Sequence, residues 1–245
     1  EPNLQNIPIR TELGSKMRGF FVAKEGYTLI DADYSQIELR VLAHLASDEN
    51  MISAFTGGTD IHTQTAAQVF GVPEDYVTSQ MRSSAKAVNF GIVYGIGAWS
   101  LGENIGVSTK EAQQYIDSYL SHYSGVDRFM KESIETAKKC GYDVTSYGRR
   151  RYLPELSSSN FSLRAFGERV ARNMPIQGTA ADIIKLAMVK VENRLAAEKL
   201  DAKLIMQVHD ELIAEANENC AVKVAEILKF EMENAAKLSV PMEVD

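Results

Sequence analysis

The chain is poor in cysteine, tryptophan and proline, with two, one and six among 245 residues, and it has no run of eighteen apolar residues. Cys140 and Cys220 lie far apart without a Cys-x-x-Cys spacing. That excludes a zinc ribbon or a disulfide frame and suits incidental thiols in a reducing compartment. Crossing a bilayer takes about 20 consecutive apolar residues, so no membrane span is expected. Basic excess is missing too: 33 acidic residues against 26 Lys and Arg leave a net charge of −7. Nucleic-acid binders are commonly basic, so the total argues against that class, but totals hide distribution. Arg149–Arg151 run together beside Tyr152, and Arg164, Arg169 and Arg172 follow. A protein that holds divalent cations between carboxylates can be acidic overall and still bind phosphates. Repeats and low-complexity tracts are absent, and a 45% hydrophobic share is enough for a sizeable core.

The chain opens on Glu1 and a Pro- and Asn-rich stretch with no signal-peptide pattern, so it reads as a piece of a longer protein. Residues 1–26 read as irregular chain with short extended pieces. Residues 27–33, YTLIDAD, read as a strand with Asp31 and Asp33 on one face. Ser35 is then placed to cap a helix from Gln36, with Glu38 completing a capping box. Asp60 caps a helix carrying His62. A lone histidine of this kind is more often a surface or satisfied structural residue than a ligand.

Two helical patterns follow between 108 and 139, separated at Gly125, with Tyr115, Tyr119 and Tyr123 as packing residues. Tyr142 to Leu153 alternates as a hairpin turning at Gly148. The sequence predicts a helix over 160–175 stopped by Pro175, a new one from Thr179, and Gln177 in the break. Residues 203–216 read as a second hairpin around His209–Asp210–Glu211, and 218–237 as a last amphipathic helix before a strand at VPMEVD.

Met81 to Gly97 places Arg82, Lys86, Phe90 and Tyr94 four residues apart, on one helix face. Two cations followed by two aromatics suit a triphosphate at one end and a base or sugar at the other. The same stripe also suits an amphipathic helix with a solvated basic edge. Acidic residues elsewhere weigh between these readings. Asp210 and Glu211 adjoin at a hairpin tip, where mutual repulsion is offset by solvent or by a divalent cation. Carboxylates from separate strands can hold two Mg²⁺ about 4 Å apart for in-line phosphoryl transfer.

DYSQIELR (Asp33–Arg40), RSSAKAVNFGIVYG (Arg82–Gly95) and VHDE (Val208–Glu211) resemble, in order, the three polymerase motifs of the DNA polymerase I family, family A. PNLQNIPIR, DIHTQTA, GRRRYLP and NMPIQGTAAD are similar to that family as well, so the resemblance covers essentially the whole chain.

It implies an α+β fold: a mainly antiparallel palm from residues 1–43 and 177–245, with helical fingers inserted at 44–176. Thumb and exonuclease domains would lie outside the chain. Template-directed DNA synthesis in a bacterial or phage-infected cytoplasm is the implied function, with primer-template DNA and dNTP as partners of a monomer. Asp33 and Asp210, with Glu211 beside them, would be the catalytic carboxylates. Mg²⁺, replaceable by Mn²⁺, would be held by Asp33, Asp210 and the Tyr34 carbonyl. His62, Arg82 and Lys86 would meet the triphosphate, and Phe90 and Tyr94 the base pair and sugar. Glu38, with Gln36 near it, would stand where a 2′-hydroxyl falls. Arg10, Arg169, Asn173, Gln177 and His209 would touch primer or template, while Arg149 and Arg150, beside Tyr152, read from their own pattern as a grip on a backbone phosphate or as a solvated charge run.

Ser83 departs from the family pattern, where a second arginine is common. A single-subunit RNA polymerase shares parts of these motifs, and Glu38 argues against it. A non-catalytic nucleic-acid-binding remnant is the other reading, opposed by the intact Asp33, Asp210 and Lys86.

Overall fold

The computed structural model describes residues 12–58 and 60–245. Arg10 and the PNLQNIPIR segment lie outside them. The chain divides into two compact units. The first comprises residues 1–37, 181–237 and 242–245, and the second comprises 38–180 and 238–241. The first unit thus ends at Ile37 and resumes at Ala181, against the expected 43 and 177. Among the described residues no helix is long and apolar enough to cross a membrane.

In the first unit, α1 (Glu12–Arg18) forms where irregular chain was expected, with an acidic first turn and a Glu12–Lys16 ion pair at i, i+4. Strand β1 (Tyr27–Asp33) pairs antiparallel with a later strand, β5 (Glu211–Asn217), and β5 with β4 (Ala202–Val208), giving the order β1-β5-β4. β5 alternates strictly, with Leu212, Ala214 and Ala216 buried. A period of two puts one face of such a strand in the core. The last helix, α10 (Ala221–Glu233), packs on β1 and β5 and buries Val224, Ile227, Leu228 and Met232. VPMEVD is reduced to one bridge, Val244 to Tyr34.

The second unit is mostly helical. It holds most of α2 (Ile37–Ala46), then α3 (Glu49–Thr56), α4 (Ile61–Phe70), α5 (Ser79–Val93), α6 (Ala98–Ile105), α7 (Thr109–His122) and α8 (Ser124–Cys140). The hairpin of β2 (Tyr142–Val144) and β3 (Arg150–Tyr152) follows. Residue types explain many of the boundaries. Asp60 accepts the Thr63 N–H to start α4, and Ser108 with Glu111 forms a full capping box on α7. Gly141 ends α8 in the left-handed region at φ 75°.

Asp48 ties two helices together. Its Oδ1 accepts the Met51 N–H at 3.0 Å to cap α3. Its Oδ2 accepts the Gly125 and Val126 N–H groups at 2.8 and 3.3 Å, at the start of α8. Gly125 is therefore inside a helix, not between two; the break falls at Tyr123, and a Cβ at Gly125 would meet Asp48 Oδ2 at 2.8 Å.

Pro175 does not end a helix either. Phe161 to Ala197 is one helix, α9, of 37 residues with Pro175 inside it. An interior proline lacks the N–H for the residue four back and costs about 3 kcal/mol. Here Ala171, Met174, Ile176, Thr179 and Ala180 are buried on both sides of it, which offsets that cost. Gln177 is accordingly on an exposed helix face and not in a break.

Asp48→Ala leaves the buried Met51 and Gly125 N–H groups without an acceptor, while Val126 keeps the Tyr123 carbonyl at 3.0 Å, and should lower stability by about 2 kcal/mol. Asp48→Asn keeps one acceptor oxygen and should cost roughly half as much. Urea unfolding followed at the second unit measures both, and a loss under about 0.5 kcal/mol for Asp48→Ala would discard this role.

Candidate functional site

In the first unit, the antiparallel register sets Asp33, at the end of β1, opposite Glu211, at the start of β5. Val208 pairs with Glu211 across a two-residue turn of His209 and Asp210. His209 closes that turn at φ 52°, a backbone that costs a non-glycine residue about 1 kcal/mol. The Tyr34 N–H donates to the Asp210 carbonyl at 3.3 Å, and the Asp33 N–H and carbonyl both bond to Asp245, at 3.1 and 3.0 Å. The Tyr34 ring is buried and its hydroxyl donates to the Met232 carbonyl at 2.7 Å. Any ligand role for Tyr34 therefore falls to its backbone.

This junction concentrates negative charge. Asp33 is exposed at the surface, yet partial desolvation, then repulsion from Asp210, Asp31 and Asp245, pushes its carboxyl up to about 6, against a lowering contribution from the Tyr34 backbone. Burial raises Asp210 as well. Excess charge on hard oxygen donors fits a divalent cation such as Mg²⁺, which prefers oxygen and keeps water and substrate oxygens in its shell. Among the described residues no three Asp, Glu, His or Cys side chains form a metal cage by themselves, so part of any shell would come from water and substrate.

The geometry expected of a capping box from Ser35 is changed at α2. Gln36 takes φ 57°, the helix begins at Ile37, and the Ser35 N–H that a capping box requires is given to the Glu243 carbonyl at 2.9 Å. Glu38 is instead an acceptor within the second unit, where the Tyr94 hydroxyl donates to its Oε2 at 2.8 Å.

That bond belongs to a chain of contacts along α5. Phe90 and Tyr94 stack at 6.5 Å with an 18° interplanar angle, and His62 lies 5.8 Å from Phe90. Tyr94 sits at the helix C-cap. Arg82 and Lys86 are exposed at the other end. Arg82 grips Asp60 through Nε at 2.6 Å and Nη2 at 3.2 Å. Burial pushes Asp60 up, but the Arg82 and Thr63 hydrogen bonds outweigh it and bring the carboxyl down to about 2. Lys86 has no ion pair among the described residues.

His62, placed with Arg82 and Lys86 by the resemblance, differs from those two cations in its surroundings. It is buried, and burial, aided by Arg82 and Lys86 and opposed by Asp60, lowers it to about 4. The ring is neutral at pH 7.

A groove of about 780 Å³ in the same unit is lined by Tyr94, by Arg149, Arg150 and Arg151 of the hairpin, and by Arg169, Asn173 and Gln177 at four-residue steps on α9. Gly178 is needed for that closeness, since a Cβ there would meet Thr145 Cγ2 at 2.6 Å. Arg169 lies over the Phe166 ring at 5.9 Å, and the Asn173 Nδ2 is buried with no partner among the described residues.

The structure thus gathers Asp33, Asp210, Glu211 and the Tyr34 backbone in one unit, with Gln36 and His209 adjacent in the chain. In the other it gathers Glu38, Arg82, Phe90, Tyr94 and the groove residues. Sequence reading missed Phe166, which lies three residues from Arg169 on α9, and Asn89, which sits inside a motif yet carries no charge.

The family model for DNA polymerase family A matches residues 1–245. The chain is 53% identical over its full length to DNA polymerase I of Bacillus subtilis and covers 28% of that protein. It is 48% identical to the thermostable DNA polymerase I of Thermus aquaticus, covering all of the chain and 29% of the relative. Among solved structures, the POL domain of Pol1 from M. smegmatis, in complex with DNA primer-template and dNTP, superposes with a TM-score of 0.95 at 45% identity, covering all of this chain and 43% of that one.

On the hairpin, Asp143 is buried. Its Oδ1 accepts the Val144 N–H at 2.8 Å, while Oδ2 has no partner among the described residues. Burial, opposed by that N–H, raises the carboxyl to about 6. The folded value exceeds the unfolded one, so its contribution to stability is full below about pH 4 and is lost as pH rises through 6. Asp143→Asn should therefore raise stability by about 1–2 kcal/mol at pH 8 and leave it unchanged at pH 4. Thermal melts at the two pH values test this, and equal melting points at pH 8 would contradict it.

Proposed function

Because the chain belongs to DNA polymerase family A, we propose that its protein carries out template-directed DNA synthesis, joining a deoxynucleotide to a primer 3′-hydroxyl with release of pyrophosphate. The observation that carries this reading most directly is the junction of β1 with the β4–β5 turn, where Asp33 and Asp210 are both raised in pKa. The solved relative, whose complex holds primer-template and dNTP, supports the same partners here.

In this reading the first unit is the palm and the second the fingers. Asp33, Asp210 and the Tyr34 carbonyl would hold two Mg²⁺, with Mn²⁺ as a substitute and Glu211 alongside. When bound, such ions supply the charge that activates the attacking hydroxyl and stabilises the leaving group.

The chain's own groups orient the substrates. Lys86 and the Arg82 N–H groups not engaged by Asp60 neutralise the triphosphate. Phe90 and Tyr94 offer stacked faces to the base pair and sugar. Tyr94 holds Glu38 in place, so its carboxylate, with Gln36 before it, opposes a 2′-hydroxyl. Arg149, Arg150, Arg169, Asn173, Gln177 and His209 take the primer and template, where backbone phosphates accept from arginine. A monomer in a bacterial cytoplasm fits the bacterial relatives.

In the full-length protein, Asp33→Asn and Asp210→Asn should abolish incorporation while primer-template affinity stays within about threefold, because those contacts come from other residues. The metal-free variants should also melt higher, since a repelling charge is gone. Incorporation within tenfold of wild type would sink the assignment. Glu38→Ala should raise ribonucleotide incorporation by roughly 10²-fold, read from single-nucleotide extension; unchanged discrimination would leave Glu38 as a partner of Tyr94 alone.

A further inference from the structure

Asn89 lies on α5 immediately before Phe90, and its side chain is wholly buried. Its amide reaches two groups, both on α4. Oδ1 accepts the Thr65 hydroxyl at 3.1 Å, and Nδ2 stands 2.9 Å from His62 Nδ1. These contacts share one consistent direction. Thr65 O–H gives to Asn89, and Asn89 N–H gives to His62. An imidazole nitrogen that accepts a hydrogen bond carries no proton, so the single proton of the neutral ring is left to Nε2.

We propose that Asn89 is a positioning residue that locks the proton of His62 on Nε2, so that the ring presents a neutral N–H donor to the nucleotide triphosphate. The proposal rests on the reading of α5 as the nucleotide-binding helix. Its physical logic follows from the surroundings. Asp60 at the cap of α4, and Arg82 and Lys86 on α5, are the charged groups facing His62. Burial beside two cations opposes an imidazolium, so the useful property left to the ring is a directed hydrogen bond. A neutral imidazole can point either a proton or a lone pair at a phosphate, and the lone pair would repel it. Asn89 removes that choice. It also ties α5 to α4, so the donor is set on rigid elements next to Phe90, where small misplacement is costly.

The test uses the full-length protein with ¹⁵N-labelled histidine, His62 being assigned by its absence in His62→Ala. The wild-type ring should show a protonated Nε2 and a bare Nδ1 from pH 6 to 9. Asn89→Asp puts an acceptor where a donor stood and should draw the proton to Nδ1. Above the new His62 titration point Nε2 then faces the phosphate with a lone pair. The dNTP KM should rise roughly tenfold at high pH and recover as pH falls, with kcat little changed, in line with the loss of one hydrogen bond to a charged group. If Asn89→Asp does not fold, Asn89→Ser leaves the proton unfixed and should raise KM severalfold without a pH inflection. A wild-type ring protonated on Nδ1 would overturn the proposal. So would an unchanged KM in folded Asn89 variants when His62→Ala raises it. If His62→Ala itself leaves KM unchanged, the triphosphate role of His62 fails, and the nitrogen spectrum alone decides the proton's position.

Discussion

Antiparallel pairing of β1 with β5 governs where this molecule keeps its charge. Side chains alternate along a strand, and a slip of one residue would turn every one of them to the other face. The register that buries Leu212, Ala214 and Ala216 is therefore the register that sets Asp33 opposite Glu211. Hydrophobic burial along the strand fixes the position of the acidic end. The two-residue turn of His209 and Asp210 completes the junction, and the bridge to Asp245 holds its far side. The folded core thus maintains carboxylates whose own interactions are repulsive. Such a cluster is expected at a functional site, where local instability is maintained by the surrounding structure.

The second unit solves a different problem, that of holding cations and aromatics without collapse. Arg82 is engaged by Asp60, Tyr94 by Glu38, and His62 by Asn89. Arg82 of α5 pairs with the residue that caps α4, Asn89 of α5 with Thr65 and His62 on α4, and Tyr94, at the C-cap of α5, with Glu38 on α2. These partners restrict the rotamers of side chains that otherwise keep several open. The groove arginines are arranged differently, with Arg150 over the Tyr142 ring and Arg169 over Phe166. Cation–π contacts of this kind add roughly 0.5–1 kcal/mol at exposed sites and leave the guanidinium edge able to donate.

Much of the secondary structure was legible because it rests on local chemistry. The Asp60 cap and both hairpins depend on residues a few positions apart, and each stands where the pattern put it. The misreadings share one cause. Pro175, Gly125 and Ser35 are local breakers or caps whose effect was decided by distant partners: a buried face on both sides of Pro175, Asp48 beneath Gly125, and the Glu243 carbonyl that takes the Ser35 N–H. Local propensity is a weak prior wherever tertiary burial is at stake.

By itself the sequence determined the family, the order of its motifs and the residue types able to hold metal and phosphate, because side-chain chemistry and short spacings are written in one dimension. Tertiary structure alone decided protonation and pairing. Whether Asp33 is raised in pKa, whether His62 is charged, and whether Arg82 stands alone depend on burial and on charges up to about two hundred residues away in the chain. Desolvation and Coulomb forces act through space, not along the backbone.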